Sequence, residues 1–325
     1  MCTSIAMKTE DFYFGRNMDL EYELGGCVVV TPRHFPFHFR RAGTMNCHHA
    51  MIGMAVVKDG YPLYAEAANE KGLCMAGLNF PDNAYYPREE DPSKANISPF
   101  ELIQWILGRC STLAQARTLL ADTHLVNISF SEQLPLSPLH WHLADREGSI
   151  VVESTKNGLS VHDNPAGVMT NNPSFDFQMT NLCQYLNLSP TCPQNCFSEK
   201  IHVKPFGLGM GCIGLPGDYS PASRFVKTAF LNLNVVCPQD DQGSLAQFFQ
   251  MLDAVAMVRG SVVSPEGRYE TTIYSCCINA SRGTYYYKTY CNNQFTAICM
   301  NRTNLTACCL HTYPLVETQQ VAWMN

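Results

Sequence analysis

MCTSIAMKTEDFYFGRNMDLEY, Met1 to Tyr22, decides how this chain folds. Two apolar runs, CTSIAMKT and DFYFGR, are turned at the charged stretch from Lys8 to Asp11, the pattern of two short strands joined by a tight turn. Cys2 begins the first strand and Arg16 ends its neighbour, so the hairpin is expected to return the polar string GRNMD (15–19) towards the thiol. Removal of Met1 would leave Cys2 as the first residue, carrying both a thiol and a free α-amine.

Outward from the hairpin the pattern stays β. CVVVTPR (27–33), HHAMIGMAVV (48–57) and GYPLYAEAANEKGLCMAGLNF (60–80) read as strands, and residues 81–97, rich in Pro, Asp, Asn and Tyr, as a loop. Ser98-Pro99-Phe100-Glu101 then supplies an N-cap, a first-turn proline and a capping-box glutamate for a helix through Cys110. Thr112 with Gln115 opens a second helix. Residues 139–163 predict three strands, broken at Glu147-Gly148 and Asn157-Gly158. Helical periodicity returns at 175–187, 224–232 and 244–258, where Ser244 and Gln247 read as another capping box, and strands close the chain from Thr271. Blocks of strands alternating with blocks of helices favour antiparallel sheets covered by helix layers over a parallel βαβ fold. No linker or internal repeat divides the chain, so a single domain is expected.

The 325 residues are 46% hydrophobic, enough for a sizeable core. The formal charge of -6 is spread without basic blocks, which argues against nucleic acid or an anionic membrane surface as a partner. Lys8, Glu10 and Asp11 interrupt any signal-peptide pattern, and no apolar window is long enough to span a bilayer, so the expected location is cytoplasmic. The sixteen cysteines then read as reduced thiols packed as small hydrophobes. Cys192 and Cys196 lack a second pair to complete a zinc site, and adjacent Cys276-Cys277 and Cys308-Cys309 would face opposite ways on strands.

Three motifs need weighing. Gly209-Met210-Gly211-Cys212-Ile213-Gly214 fits the dinucleotide fingerprint in letters, but Pro205 precedes it and Leu215-Pro216-Gly217-Asp218 interrupts any helix after it, so a turned loop is expected. His140 and His142 share one face of a strand, yet no acidic cluster completes a metal site and packing accounts for them. Asn171-Asn172-Pro173 is ordinary turn chemistry, although a side-chain amide in a dry pocket can also stabilise an oxyanion by roughly 3 kcal/mol.

Taken together, MCTS (1–4), GRNMDLEY (15–22), NEKGLCMAGLNFP (69–81), LHWHLAD (139–145), TNNPSFDFQ (170–178), GLPGDYSPASRF (214–225) and AMVRGS (256–261) resemble the choloylglycine hydrolase family of N-terminal nucleophile hydrolases, which comprises bile salt hydrolases and penicillin V acylases. The resemblance implies an α+β fold, a four-layer αββα sandwich with two antiparallel sheets between helix layers, in one domain over residues 2–325. It implies Cys2 as nucleophile, Arg16 near the thiolate, Asp19 near the amine, Asn171 as the oxyanion-stabilising amide, Asn79 as a further polar site residue and Arg224 as a second arginine. No cofactor or metal is implied. Asparagine at position 79 is typical of bile salt hydrolases, so glycine- or taurine-conjugated bile acids are the implied substrates, in a homotetramer. Met18, Leu20, Tyr61, Ile128 and Leu134 are the expected apolar lining.

An α-amine and a thiol have reference pKa values of about 8 and 8.5, so one residue can hold nucleophile and base and exchange a proton with little driving force. Penicillin V hydrolysis and acyl transfer to amines are the alternatives within the class. A non-catalytic steroid binder is the expectation if Met1 is retained.

Overall fold

The N-terminal hairpin forms. In a computed structural model describing residues 1–238 and 240–325, β1 (Cys2–Lys8) pairs antiparallel with β2 (Phe12–Leu20), Cys2 opposite Met18 and Ser4 opposite Arg16. Arg16 sits mid-strand rather than at the strand's end as expected, because a late strand on the other side of β2 extends its ladder as far as Leu20. The chain continues through β3 (Cys27–Thr31), the short pair β4 (Phe37–Phe39) and β5 (Gly43–Met45), then β6 (Met51–Lys58), β7 (Tyr61–Asn69) and β8 (Cys74–Asn79).

The stretch expected as a loop ends in β9 (Ala95–Ile97), which pairs in parallel with β10 (Thr123–Leu125) beyond helices α1 (Leu102–Arg109) and α2 (Leu113–Ala121). The capping box before α1 is present, with the Ser98 N–H donating to Glu101 Oε2 at 3.0 Å, and Thr112 caps α2. Next come β11 (Leu139–Asp145), β12 (Gly148–Thr155) and β13 (Gly158–Asp163), the three strands expected there, and β14 (Val168–Met169). Helices α3 (Phe175–Asn181), α4 (Pro221–Asn234) and α5 (Asp241–Asp253) follow, then β15 (Thr271–Asn279), β16 (Thr284–Thr289), β17 (Thr296–Cys299) and β18 (His311–Pro314). Helix α5 begins a turn earlier than its sequence predicts: Asp240, not Ser244, is the cap, accepting the Gly243 N–H at 2.8 Å, and Ser244 is buried inside the helix.

The pairings build a six-stranded sheet, ordered β14-β1-β2-β15-β16-β17, and an eight-stranded sheet, ordered β13-β12-β11-β8-β7-β6-β3-β18, both antiparallel throughout. Phe14, Met18 and Tyr285 from the first pack against Val30, Ile52, Leu78 and Val151 from the second. On the outer face of the eight-stranded sheet, Trp105 and Leu107 of α1 cover Val29, Met75 and Trp141. On the outer face of the six-stranded sheet, Phe248 and Leu252 of α5 cover Ile5, Tyr13 and Cys277. The result is the expected αββα sandwich, each buried large side chain contributing roughly 1.5–3 kcal/mol. Strand alternation sends Cys276 to the inter-sheet core and Cys277 to the helix side, as expected. Cys308 and Cys309 lie outside any strand and are exposed. All sixteen thiols are free, but seven are exposed, so the packing explanation holds for Cys74, Cys110, Cys276 and Cys277 and fails for the surface ones. Gly15 is required where it stands: a Cβ there would strike the Cys276 carbonyl and hold β15 off β2.

Candidate active site

Side-chain alternation splits the site across the end of the six-stranded sheet. Cys2, Arg16 and Met18 turn towards the inter-sheet core, while Thr3, Asn17 and Asp19 turn towards the helices. Cys2 is 3% exposed, its Sγ 3.9 Å from Met18 Sδ. Arg16 donates through Nη1 to the Gly77 carbonyl at 2.6 Å and lies 3.8 Å from Glu66 Oε2. Glu66, fully buried, accepts from Tyr274 at 2.8 Å and Tyr285 at 2.6 Å. Burial works against the Arg16 charge, but Cys2, Tyr274 and Glu66 outweigh it and push its pKa above the ordinary guanidinium value. Burial pushes Glu66 up, with Arg16 opposing.

Asp19 accepts from Thr272 Oγ1 at 2.6 Å through Oδ1, whereas its Oδ2 is buried without a hydrogen-bond donor, 3.9 Å from Arg224 Nη1. Burial raises its pKa, and Arg224 and the terminal amine act in the other direction. Arg224 stands in the first turn of α4, which Ser220 caps and Pro221 opens. Its Nη1 donates to the Cys2 carbonyl at 2.5 Å and Thr3 Oγ1 at 2.6 Å, its Nη2 to Asn171 Oδ1 at 2.9 Å, and its Nε to the Tyr219 carbonyl at 3.0 Å. Burial lowers the Arg224 pKa while Asp19 and Cys2 hold it up.

Strand β14 sits beside β1, Met169 opposite Ser4, and so delivers Asn171 to Cys2. Asn171 Oδ1 accepts the Cys2 N–H at 2.8 Å as well as the Arg224 guanidinium. Both neighbours only donate, which turns the amide nitrogen towards the Asn79 carbonyl, 2.7 Å away, and leaves its second N–H for another acceptor. Asn79 thus joins the site through its main chain, its side chain being exposed. The Met1 amine donates to the Asp19 carbonyl at 2.6 Å and pairs with Glu270; burial lowers its pKa, while Cys2 and Asp19 raise it.

All six candidate polar residues therefore meet at one place. Met18 touches Cys2, and Leu20, on the same face of β2, packs on the inter-sheet core. Tyr61 instead packs against Phe37, Phe100 and Phe130, with centroids 5.9, 6.1 and 6.0 Å away, and Ile128 and Leu134 are half-buried in the loop carrying Phe130. Among the described residues no hydrogen bond or ring contact joins these three to Cys2. A cavity of about 640 Å³ opens elsewhere, between α2, β12 and β13, lined by Tyr85, Arg117, His124, Lys156 and Leu159.

Glu66, Thr272 and Glu270 were not anticipated. Glu66 carried a signal, being the lone charge in the apolar run YPLYAEAAN, whereas Thr272 and Glu270 had none. His142 lies between Ser4 Oγ at 2.7 Å and Ser149 Oγ at 2.6 Å, and burial pushes its pKa down to about 3. No group of three or more metal-ligating side chains occurs among the described residues. Gly209 and Gly214 flank a short 3-10 turn, Met210–Cys212, that contains Gly211, with no strand leading into it.

Comparison with known proteins identifies the family. The family model for linear amide C–N hydrolases of the choloylglycine hydrolase family matches residues 2–315. The bile salt hydrolase/transferase of Lactiplantibacillus plantarum is 47% identical over the full length of both chains. A crystal structure of the C2A mutant of a conjugated bile acid hydrolase from Clostridium perfringens superposes with a TM-score of 0.92 at 38% identity, covering 100% of both chains. A penicillin V acylase from Agrobacterium tumefaciens shares the fold at a TM-score of 0.73 and 20% identity, over 94% of this chain and 88% of that one. No helix here is long and apolar enough to cross a membrane among the described residues. The chain belongs to the choloylglycine hydrolase family and is a hydrolase acting on linear amide C–N bonds.

Proposed function

We propose that this chain hydrolyses the amide bond of glycine- or taurine-conjugated bile acids through a Cys2 thioester, with the Cys2 α-amine as general base once Met1 has been removed. The observation that carries the reading is the orphaned Asp19 Oδ2, a fully buried acceptor beside the N terminus. Buried carboxylate oxygens almost always have a donor, and a free amine on Cys2 supplies one. The burial that lowers the Met1 amine pKa acts on a Cys2 amine as well and favours its unprotonated, basic form near neutral pH.

In this reading Arg16 stabilises the thiolate, which attacks the amide carbonyl. The spare Asn171 N–H binds the oxyanion, the amine hands its proton to the leaving nitrogen, and water releases the acyl group by the reverse sequence. Conjugated bile acids as substrates rest on the full-length relative at 47% identity and on asparagine at position 79. Met18 and Leu20 line the steroid site in this reading, in a cytoplasmic homotetramer that uses no cofactor, whereas Tyr61, Ile128 and Leu134 pack away from Cys2. That relative is a hydrolase and transferase, which favours a second use of the same thioester: attack by an amine in place of water.

Purified protein incubated with glycocholate and taurocholate is expected to release glycine and taurine, and Cys2→Ala to release neither. Intact mass is expected to show loss of Met1. Turnover persisting in Cys2→Ala, or full activity in protein that keeps Met1, would sink the mechanism. Adding a high concentration of a free amino acid tests transfer through the appearance of a new conjugate.

A further inference from the structure

We propose that His140 is a positioning residue that fixes the oxyanion-binding amide of Asn171, with Glu153 setting the orientation of its ring. The inference rests on the catalytic reading above. Two chain segments meet at Asn171, residues 79–81 and 170–175, and the Asn171 and Asn172 side chains tie them together through the Asn79 and Pro81 carbonyls, each at 2.7 Å. His140, 2% exposed on β11, touches both segments from the other side. Its ring stacks on Phe80 at 4.3 Å with the planes 5° apart, and its Nε2 lies 2.9 Å from the Thr170 carbonyl, one residue before Asn171.

A carbonyl only accepts, so Nε2 is the donor in that bond. On the other edge of the ring, Nδ1 faces Glu153 Oε1 at 3.4 Å, and the same oxygen accepts the Phe175 N–H at 2.9 Å. Glu153 is itself buried. One imidazole and one carboxylate thereby hold Phe80, Thr170 and Phe175 at fixed separation, which sets where the free Asn171 N–H points. His142, two residues along and equally buried, contacts Ser4 and Ser149 instead and so serves as an internal control.

A displacement of about 1 Å at a catalytic group can cost about a hundredfold in rate. His140→Leu is therefore expected to lower kcat roughly 10- to 100-fold with KM changed less than about threefold. His140→Gln, whose amide can still donate to Thr170, regains most of the loss, and His142→Gln keeps the wild-type kcat. Hydrogen exchange over 170–175, read without substrate, speeds up in His140→Leu and is restored in His140→Gln. An unchanged kcat in His140→Leu, or equal losses in the His140 and His142 variants, overturns the proposal. Where wild type turns over no conjugate, the functional reading fails by itself and hydrogen exchange decides the positioning role. Where His140→Leu does not fold, Glu153→Gln carries the test: a selective fall in kcat supports the role and an unchanged kcat refutes it.

Discussion

Arg224 binds four different oxygens, and each belongs to a different part of the site: the Tyr219 carbonyl, the Cys2 carbonyl, Thr3 and Asn171. Only a planar guanidinium reaches all four, so Arg224→Lys is expected to reduce kcat/KM by about a hundredfold while the protein still folds. Arg224→Met goes further and leaves Asp19 buried without its cation, a change that typically costs about 3–5 kcal/mol; urea denaturation measures it. At this scale the sequence was most informative where several residues of one site lie in a single short segment, as with Cys2, Arg16 and Asp19 in the first hairpin. Glu66, Thr272 and Glu270 were harder to find because their roles depend on strands that meet only after folding. Tyr274 and Tyr285, for example, reach Glu66 from β15 and β16, more than 200 residues further on.

Strand β11 carries two buried histidines with different surroundings, and His142 gives it a measurable pH dependence. The folded ring has a pKa of about 3, while an unfolded imidazole titrates near 6.5. Below that value the unfolded chain binds a proton that the folded chain refuses. Stability is therefore complete above about pH 6.5 and falls by about 1.4 kcal/mol per pH unit towards pH 3. Urea melts at pH 7 and pH 4.5 are expected to show a drop in wild type that exceeds the drop in His142→Gln by about 2–3 kcal/mol. Local signals set most element boundaries: Ser98 with Glu101, Thr112, Gly148 and Gly158 all act where the sequence predicts. The boundaries that moved depend on something non-local or on competition between caps. β2 runs on to Leu20 because β15 pairs with it there, and α5 starts early because Asp240 outcompetes Ser244 for the helix N terminus.

Across the whole molecule, the stretch between α3 and α4 stands apart. Leu186, Phe197, Phe206 and Leu208 are 86, 83, 91 and 97% exposed, an apolar surface that a monomer would leave in water. Sedimentation is expected to find an assembly larger than a monomer, and Phe206→Asp with Leu208→Asp to shift it towards monomer without abolishing folding. The layered sandwich was legible because its inner and outer faces follow period-two alternation. This stretch was not, because most of it forms no strand or helix whose period could be read. The place of β2 between β1 and β15 also has a consequence in time. The ribosome delivers the strand bearing Arg16 and Asp19 early, but its second neighbour begins at Thr271, about 250 residues later. At about 5–20 residues per second the growing chain keeps one edge of β2 open for on the order of ten to fifty seconds. Cys2 gains Arg224 about 200 residues after its own synthesis, but Asp19 waits for Thr272 to the end of that interval, so the site's buried carboxylate finds its hydroxyl partner only when synthesis is nearly complete.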